Sequence, residues 1–153
     1  MKILISIDES EYAKKAVNYV ANAVNPNVKI TLFNVMPIIS SQLERQLYHP
    51  LFAQKIEELK SVMGERKKEV QVLMGECCSI LTSAGIPEKN IEVKIREKEI
   101  GIARDIIAEA EGGSYDAVVI GRRGLSAAAS FVLGSVSNKV IQHIKNCTVW
   151  LVD

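Results

Sequence analysis

Three glycines and a serine lie at set spacings in the C-terminal third of the chain. They form the series Gly121-x2-Gly124-x9-Gly134-Ser135, which ends where a helical pattern begins. Backbone N–H groups can hold a phosphate if they approach it closely, and glycine allows this because it has no Cβ and accepts positive φ. The N-terminus of the predicted helix adds unpaired N–H donors and the positive end of the helix dipole. The spacing therefore predicts a phosphate-binding loop, with Ser135 adding a hydroxyl.

The charges near this series agree with a local anion site. The chain has 19 Lys and Arg residues against 18 Asp and Glu residues, so its net charge of +1 gives no general attraction to nucleic acid or anionic lipid. However, no acidic residue lies between Asp116 and Asp153, and Arg122 and Arg123 directly follow Gly121. The alternative is that the glycines serve only a turn and close packing, with both arginines solvated.

Asp8, directly after the first predicted strand, is a second candidate for ligand contact. Open parallel sheets bind ligands beyond the carboxyl ends of their strands, where the strand order reverses. In the order 3-2-1-4-5, the segments after the first and fourth strands flank that point. Asp8 could also be only the N-cap of the first helix. A carboxylate beside phosphates needs a bridging cation, so we expect Mg²⁺ near Asp8 with a di- or triphosphate.

The elements that position these residues alternate along the chain. Apolar patterns predict strands at 2–7, 28–35, 91–96, 117–120 and 148–152, and helices at 13–24, 51–84, 100–111 and 135–144. Such alternation requires crossover connections, hence a parallel sheet with helices on both faces. We predict an α/β Rossmann-like three-layer sandwich with a five-stranded parallel sheet in the order 3-2-1-4-5, as a single domain over residues 1–153. A break of the long helix near Gly64 is the alternative to one continuous helix.

Other residues fit a structural role better than chemistry. The three cysteines, Cys77, Cys78 and Cys147, are odd in number and lack C-x-x-C spacing, so we expect buried small side chains. His49 and His143 are expected at the surface, because neither has a carboxylate and a nucleophile at useful spacing. The polar, aperiodic stretch 38–50 is predicted to be a loop that could cover the pocket, and the charged run 57–69 a solvated helix face.

Several classes of protein are excluded by what the sequence lacks. No apolar run approaches the roughly 18 residues that span a bilayer, and none resembles a secretory signal. We therefore expect a cytoplasmic protein with neither a membrane nor a nucleic acid as partner. The sequence contains no G-x-x-x-x-G-K-[ST] motif, and no G-x-G-x-x-G follows the first strand, so Walker-type ATPase and hydride-transfer functions lose support.

The last predicted strand, Thr148–Val152, would be an outer strand of the sheet. It is apolar throughout and would expose unpaired backbone groups at the sheet edge. Pairing of this strand with its copy across a two-fold axis would cover the apolar side chains and the unpaired backbone groups, which predicts a homodimer.

Three segments resemble the universal stress protein family, and together they extend the resemblance over essentially the whole chain. They are the opening ILISIDESE, the glycine series with its GSVS, and the closing CTVWLV. The family's nucleotide signature is G-x2-G-x9-G-[ST], which this sequence matches in full. The resemblance implies the ATP-binding branch of the family and its usual homodimer.

The resemblance also implies roles for individual residues around an adenine nucleotide, which could be ATP, ADP or AMP. It places Asp8 at the ribose and phosphate end and the backbone of Val35 against the adenine edge. The ribose and phosphates would be held by Gly121, Gly124, Gly134 and Ser135, helped by Val136 and Ser137. Glu9 stands where the family often has Gly, and Ala127–Ala129 replace a stretch that is often basic, so phosphate binding would depend more on Arg122 and Arg123.

Three functions follow from these observations. The first is a nucleotide-binding regulatory or stress-response protein with at most slow ATP hydrolysis, because the sequence offers no dedicated catalytic base. The second is an Mg²⁺-dependent nucleotide hydrolase or transferase in which Asp8 positions a water molecule. The third is a nucleotide-free interaction module whose glycines serve the fold alone.

Overall fold

The computed structural model describes residues 1–37, 53–124 and 133–153. Its strands are β1 (Lys2–Ser6), β2 (Lys29–Met36), β3 (Ile91–Glu97), β4 (Ala117–Gly121) and β5 (Thr148–Val152). Its helices are α1 (Glu11–Ala23), α2 (Ala53–Ser83), α3 (Ile102–Gly112) and α4 (Ser135–His143), with a short 3₁₀ turn, Glu88–Asn90, before β3. The predicted alternation of strands and helices is confirmed, and the predicted loop 38–50 lies outside the described residues.

The five strands form one parallel sheet in the order β3-β2-β1-β4-β5, as predicted. β1 lies at the centre, where Ile3 pairs with Ile30 of β2 and with Ala117 of β4. The reversal of strand order between β1 and β4 brings the segments after these two strands to the same edge of the sheet. This edge is where parallel sheets bind ligands.

Alternate side chains of the central strands enter two separate cores, one on each face of the sheet. Ile3 and Ile5 of β1 pack with α1 and α2, whereas Leu4 packs with α3 and α4. The three residues are fully buried, because a central parallel strand is covered on both faces. The predicted three-layer sandwich is confirmed.

Helix α2 is continuous over 31 residues, so the alternative break near Gly64 is wrong. A side chain at Gly64 would meet nothing within 4 Å, and the glycine is tolerated in an exposed stretch. Among residues 54–83 of the helix, Val70 is the first that is fully buried, followed at steps of three or four by Met74, Cys77 and Leu81. The C-terminal half of α2 therefore anchors it to the sheet. No helix among the described residues is long and apolar enough to cross a membrane.

The three cysteines differ in burial. Cys77 is fully buried, as expected, and burial raises the pKa of its thiol to about 11. Cys78 and Cys147 are only partly buried, and burial raises their pKa in the same direction. All three thiols are unpaired, and none lines the cavity described below.

A buried carboxylate, Glu109 of α3, connects this helix to the neighbouring edge strand. Its side chain is 4% exposed and accepts hydrogen bonds from Lys94 at 2.9 Å and from the Tyr115 hydroxyl at 3.0 Å. Arg96 lies 3.0 Å from its other oxygen. Burial by itself would raise the pKa of Glu109, but these hydrogen bonds and the two nearby cations outweigh it, and the pKa is lowered.

Candidate functional site

A cavity of about 400 Å³ opens at the carboxyl ends of β1, β2 and β4. This volume lies within the range of pockets that hold small molecules. Nine of the ten predicted site residues line it, namely Asp8, Val35, Gly121, Arg123, Gly124, Gly134, Ser135, Val136 and Ser137. The other described lining residues are Ser6, Ile7, Glu9, Asn34, Met36, Pro37, Arg66, Val70, Ile102 and Ile120. Residues distant in sequence thus meet at the edge of the sheet where the strand order reverses.

The N-terminus of α4 forms one wall of this cavity. Gly134 is the N-cap, with an extended backbone at φ −61° and ψ 149°. Its N–H donates to Arg122 O at 3.0 Å, and the first intrahelical bond runs from Asn138 N to Gly134 O at 2.8 Å. The N–H groups of residues 135–137 precede that bond, so they have no acceptor inside the helix. They present donors and the positive end of the helix dipole to the cavity.

Gly121 and Gly124 are required for different reasons. A Cβ on Gly121 would lie 2.7 Å from the Cβ of Tyr12 and 3.1 Å from its backbone carbon, so Gly121 permits β4 to pack against α1. A Cβ on Gly124 would lie 2.7 Å from Oδ2 of Asp8, which is the far end of a side chain in the cavity wall. The sequence alternative gave Gly121 and Gly124 only a turn and gave close packing to Gly134, so the packing role of Gly121 was not predicted. Gly124 makes room for a polar group of the site.

Asp8 is held by the residues that follow it. Its Oδ1 accepts hydrogen bonds from the backbone N–H of Ser10, at 3.1 Å, and from the Ser10 hydroxyl. The N-cap of α1 is Ser10 and not Asp8, so the capping alternative for Asp8 is wrong. The local turn fixes the carboxylate and leaves Oδ2 directed to the segment that contains Gly124.

The backbone of Val35 points to the side of β2 where pairing with β1 has ended. Phe33 O accepts from Ile7 N at 2.8 Å on the β1 side, and Met36 O accepts from Lys98 N at 2.7 Å on the β3 side. Since successive residues of a strand direct their N–H and C=O groups to opposite sides, those of Val35 face β1. The last β1–β2 pair is Ser6 with Phe33. Val35 therefore offers one donor and one acceptor to the cavity edge.

Asn34 is a cavity residue that was not predicted. Its side-chain amide donates to Ile7 O at 2.8 Å, which holds the end of β1 against β2. Its Oδ1 atom is buried and accepts no hydrogen bond from the residues that the structure describes. A buried acceptor without a donor is costly in a protein interior, so this oxygen is suited to a ligand donor.

The two neighbouring arginines, Arg122 and Arg123, face different surroundings. Arg122 is the predicted site residue that does not line the cavity. Its buried Nε lies 2.8 Å from Oδ1 of Asp153, which makes an ion pair but not a hydrogen bond of acceptable geometry. Arg123 lines the cavity, and its Nε and Nη2 atoms are buried without a hydrogen-bond partner among residues 1–37, 53–124 and 133–153. Buried guanidinium nitrogens are almost always paired with an acceptor. Arg123 thus supplies positive charge and free donors.

Arg66 of α2 is a second cation at the cavity besides Arg123, and it was not predicted. It forms a two-pronged ion pair with Glu9, in which Nε donates to Oε1 and Nη2 donates to Oε2, each at 2.9 Å. This pairing raises the pKa of Arg66. The sequence predicted a solvated face for the run 57–69, but Arg66 lies three residues after Met63 and four before Val70, in the spacing of an apolar stripe. That spacing was the available signal.

No group of three or more His, Cys, Asp or Glu side chains in the described part of the chain is placed to hold a metal ion by itself. Asp8 is a cavity carboxylate with one oxygen, Oδ2, outside the hydrogen bonds from Ser10. One carboxylate with ligand phosphates is a normal way to hold Mg²⁺, which takes few protein ligands. The donor set fits Mg²⁺ only together with phosphate oxygens.

Comparison with known proteins identifies the family. The model of the universal stress protein family matches residues 1–153. The Synechocystis universal stress protein Sll1388 is 30% identical, with 99% of this chain and 97% of that protein covered. The universal stress protein UspA from Lactobacillus plantarum shares the fold with a TM-score of 0.72 at 20% identity, over 100% of this chain and 97% of that one. The universal stress protein from Archaeoglobus fulgidus, solved in complex with dAMP, has a TM-score of 0.64 at 17% identity, over 100% and 98%. This chain belongs to the universal stress protein family.

Proposed function

We propose that this protein binds an adenine nucleotide in the cavity at the end of β1, β2 and β4, and acts as a nucleotide-dependent regulatory protein of the stress response. The observation that carries the proposal is Arg123, whose buried Nε and Nη2 have no acceptor among the described residues, in a cavity that also contains the N-terminus of α4. Two sources of positive potential with free N–H donors converge there. A phosphate group satisfies both.

β2 supports recognition of the base at the other end of the nucleotide. The N–H donor and the C=O acceptor of Val35 lie beyond the point where β2 stops pairing with β1. The edge of adenine presents an acceptor ring nitrogen beside a donor amino group, which this pair complements. The Oδ1 of Asn34, which has no donor in the part of the chain that the structure describes, adds an acceptor nearby. The Archaeoglobus fulgidus relative was solved with dAMP, a ligand of the same chemical class.

The phosphates would be held by Arg123, Gly124 and the free N–H groups of residues 135–137, and Gly134, whose own N–H donates to Arg122 O, would let them approach closely. Asp8 would take Mg²⁺ together with phosphate oxygens, since its carboxylate would otherwise repel them. The ion would neutralise charge between Asp8 and the nucleotide. ATP is the nucleotide that the matching signature favours, with ADP and AMP as the other candidates.

Hydrolysis of a bound nucleotide is expected to be slow. The lining residues that the structure describes include no His, Cys or Lys, and Asp8, whose Oδ1 accepts from Ser10, would have its second oxygen on Mg²⁺. Efficient general-base catalysis needs a group free to take a proton from water. Single-turnover release of phosphate from ATP tests this, and complete hydrolysis within seconds would instead identify an Mg²⁺-dependent hydrolase.

We also propose that the protein is a homodimer through β5 and works in the cytoplasm as one domain. β5 is the last strand of the sheet, and its outer edge has no strand partner among the described residues. The unpaired thiols of all three cysteines are typical of a reducing compartment.

The proposal is tested by thermal unfolding of the purified protein with and without ATP, ADP or AMP in the presence of Mg²⁺. A ligand at 100 times its Kd stabilises the folded state by about 2.7 kcal/mol. Each kcal/mol raises Tm by roughly 2–4 °C for a chain of this size. Acid extraction followed by chromatography would identify any nucleotide that copurifies. The absence of any shift with these three nucleotides would reject nucleotide binding and favour an interaction module.

A further inference from the structure

The ion pair between Glu9 and Arg66 lies inside the cavity wall, where it joins the segment after β1 to helix α2. Both residues line the same cavity as Arg123 and Gly134. The side chain of Arg66 is 39% exposed and that of Glu9 is 26% exposed, so the pair is open to solvent and to a ligand. Apart from Arg66, only Val70 of the described part of α2 lines the cavity.

The carboxylate of Glu9 occupies the hydrogen-bonding positions of Arg66 that a phosphate would use. The guanidinium donates from Nε and Nη2 to the two carboxylate oxygens at 2.9 Å each. Carboxylate and phosphate accept this fork in the same two-pronged geometry. Because the pair is partly solvated, its exchange for another anion costs little.

Glu9 and Arg66 also have opposite effects on a chain of phosphates. In the proposed binding mode, Arg123 and the N-terminus of α4 would satisfy a single phosphate without either residue. A longer chain carries additional negative charge into a cavity where Glu9 repels it and Arg66 attracts it. The balance between these two side chains thus changes with the number of phosphates.

We propose that Arg66 selects nucleotides by phosphate number. Arg66 gives up its ion pair with Glu9 and binds the terminal phosphate of a nucleoside di- or triphosphate instead. Glu9 acts as the competing anion that holds Arg66 when this phosphate is absent. This inference rests on the proposed nucleotide binding and adds the residues that set its preference. It assigns a role to Glu9 and to a cation supplied by α2.

The test is calorimetric measurement of Kd for AMP and ATP, with Mg²⁺ present, in the unsubstituted protein and in the variants Glu9→Gln and Arg66→Gln. Removal of the competing charge in Glu9→Gln should tighten ATP binding about five- to tenfold, and loss of the cation in Arg66→Gln should weaken it by a similar factor. AMP affinity should change less than about twofold in both variants. The two substitutions should therefore move the ATP-to-AMP preference in opposite directions.

Glu76→Gln is a matched control, because Glu76 lies on α2 like Arg66 and forms an ion pair with Lys14 of α1 at 2.7 Å, but does not line the cavity. Glu76→Gln changes the net charge by the same amount as Glu9→Gln, and should leave the affinities for AMP and ATP unchanged. Arg66→Lys keeps the charge but loses the fork, and should also weaken ATP binding. If Arg66→Lys binds ATP like the unsubstituted protein, or if neither Gln variant changes the preference, the inference is overturned while nucleotide binding stands. If the unsubstituted protein binds neither nucleotide, the proposed function fails first.

Discussion

The Oδ2 atom of Asp8 fills the space beside Gly124, 2.7 Å from where a Cβ at that position would lie. Gly124→Ala should therefore displace the Asp8 carboxylate and weaken nucleotide binding about tenfold or more, the equivalent of one charge-assisted hydrogen bond. The displaced atom is the end of a flexible side chain, so the free energy of unfolding should change by less than about 1 kcal/mol. Titration of Kd and urea unfolding of the same variant measure both effects.

Gly121→Ala should show the reverse pattern. Its Cβ would meet the Cβ and the backbone of Tyr12, which can be relieved only by moving α1. Overpacking of this kind costs about 1–3 kcal/mol of stability. Gly75→Ala is the control, because a Cβ there meets nothing within 4 Å on an exposed helical position and should stabilise the protein by about 0.5–1 kcal/mol. Equal loss of stability in the Gly121 and Gly124 variants would contradict these assignments.

Arg123→Gln separates ligand binding from stability. Two buried nitrogens of Arg123 lack partners among the described residues, so removal of its charge should leave Tm of the ligand-free protein unchanged or raise it. The same substitution should remove most of the Tm increase that ATP causes. Arg122→Gln is the comparison, because Arg122 pairs with Asp153 and does not line the cavity. Its nucleotide affinity should stay within about twofold of the unsubstituted protein, as for a partly exposed ion pair. A larger loss would show that Arg122 also contacts the ligand.

The fold could be predicted because its information is local and periodic. The run Ala117–Ile120 is apolar on both faces, as a central strand must be, and Asp8 and Gly124 end up adjacent because strand order alone brings their segments together. The end of α2 could also be predicted, since Gly85-Ile86-Pro87 supplies a glycine that can end a helix and then a proline that cannot continue it, and Gly85 has φ +90° in the structure. These features depend on side-chain pattern and backbone conformation.

The rest of the site could not be predicted because it depends on pairing across the chain. Arg66 meets Glu9 over a separation of 57 residues, and nothing in the charged run around Arg66 names its partner. Arg122 and Arg123 are equivalent in sequence, yet only the structure shows that one pairs with Asp153 and the other lines the cavity. Asn34 carries no motif at all.

Glu109→Gln should destabilise the protein in a pH-dependent way. It removes a buried charge that accepts from Lys94 and Tyr115, at a cost of about 1–3 kcal/mol at neutral pH after allowance for the solvent that reaches the cations. Because the folded-state pKa of Glu109 is lowered, this stabilisation is present above its unfolded-state pKa of about 4.3 and is lost as the pH falls through the folded-state pKa. The difference in unfolding free energy should thus shrink below pH 4. Glu92, which lies 3.5 Å from Lys94 and is 54% exposed, provides the control Glu92→Gln, with a change under about 0.5 kcal/mol at any pH.

Leu151→Lys tests the proposed dimer. Leu151 is on β5, the outer strand beside β4, and is 43% exposed. A lysine on an edge strand opposes pairing with a second copy, because two such charges would meet across the two-fold axis. Light scattering at micromolar concentration should show a dimer for the unsubstituted protein and at least a tenfold weaker association for the variant. Val93→Lys is the matched control: Val93 is also 43% exposed, but it lies on β3 at the opposite edge. Val93→Lys should leave the dimer intact. Equal weakening by both lysines would place the interface elsewhere, and a monomeric unsubstituted protein would exclude the dimer.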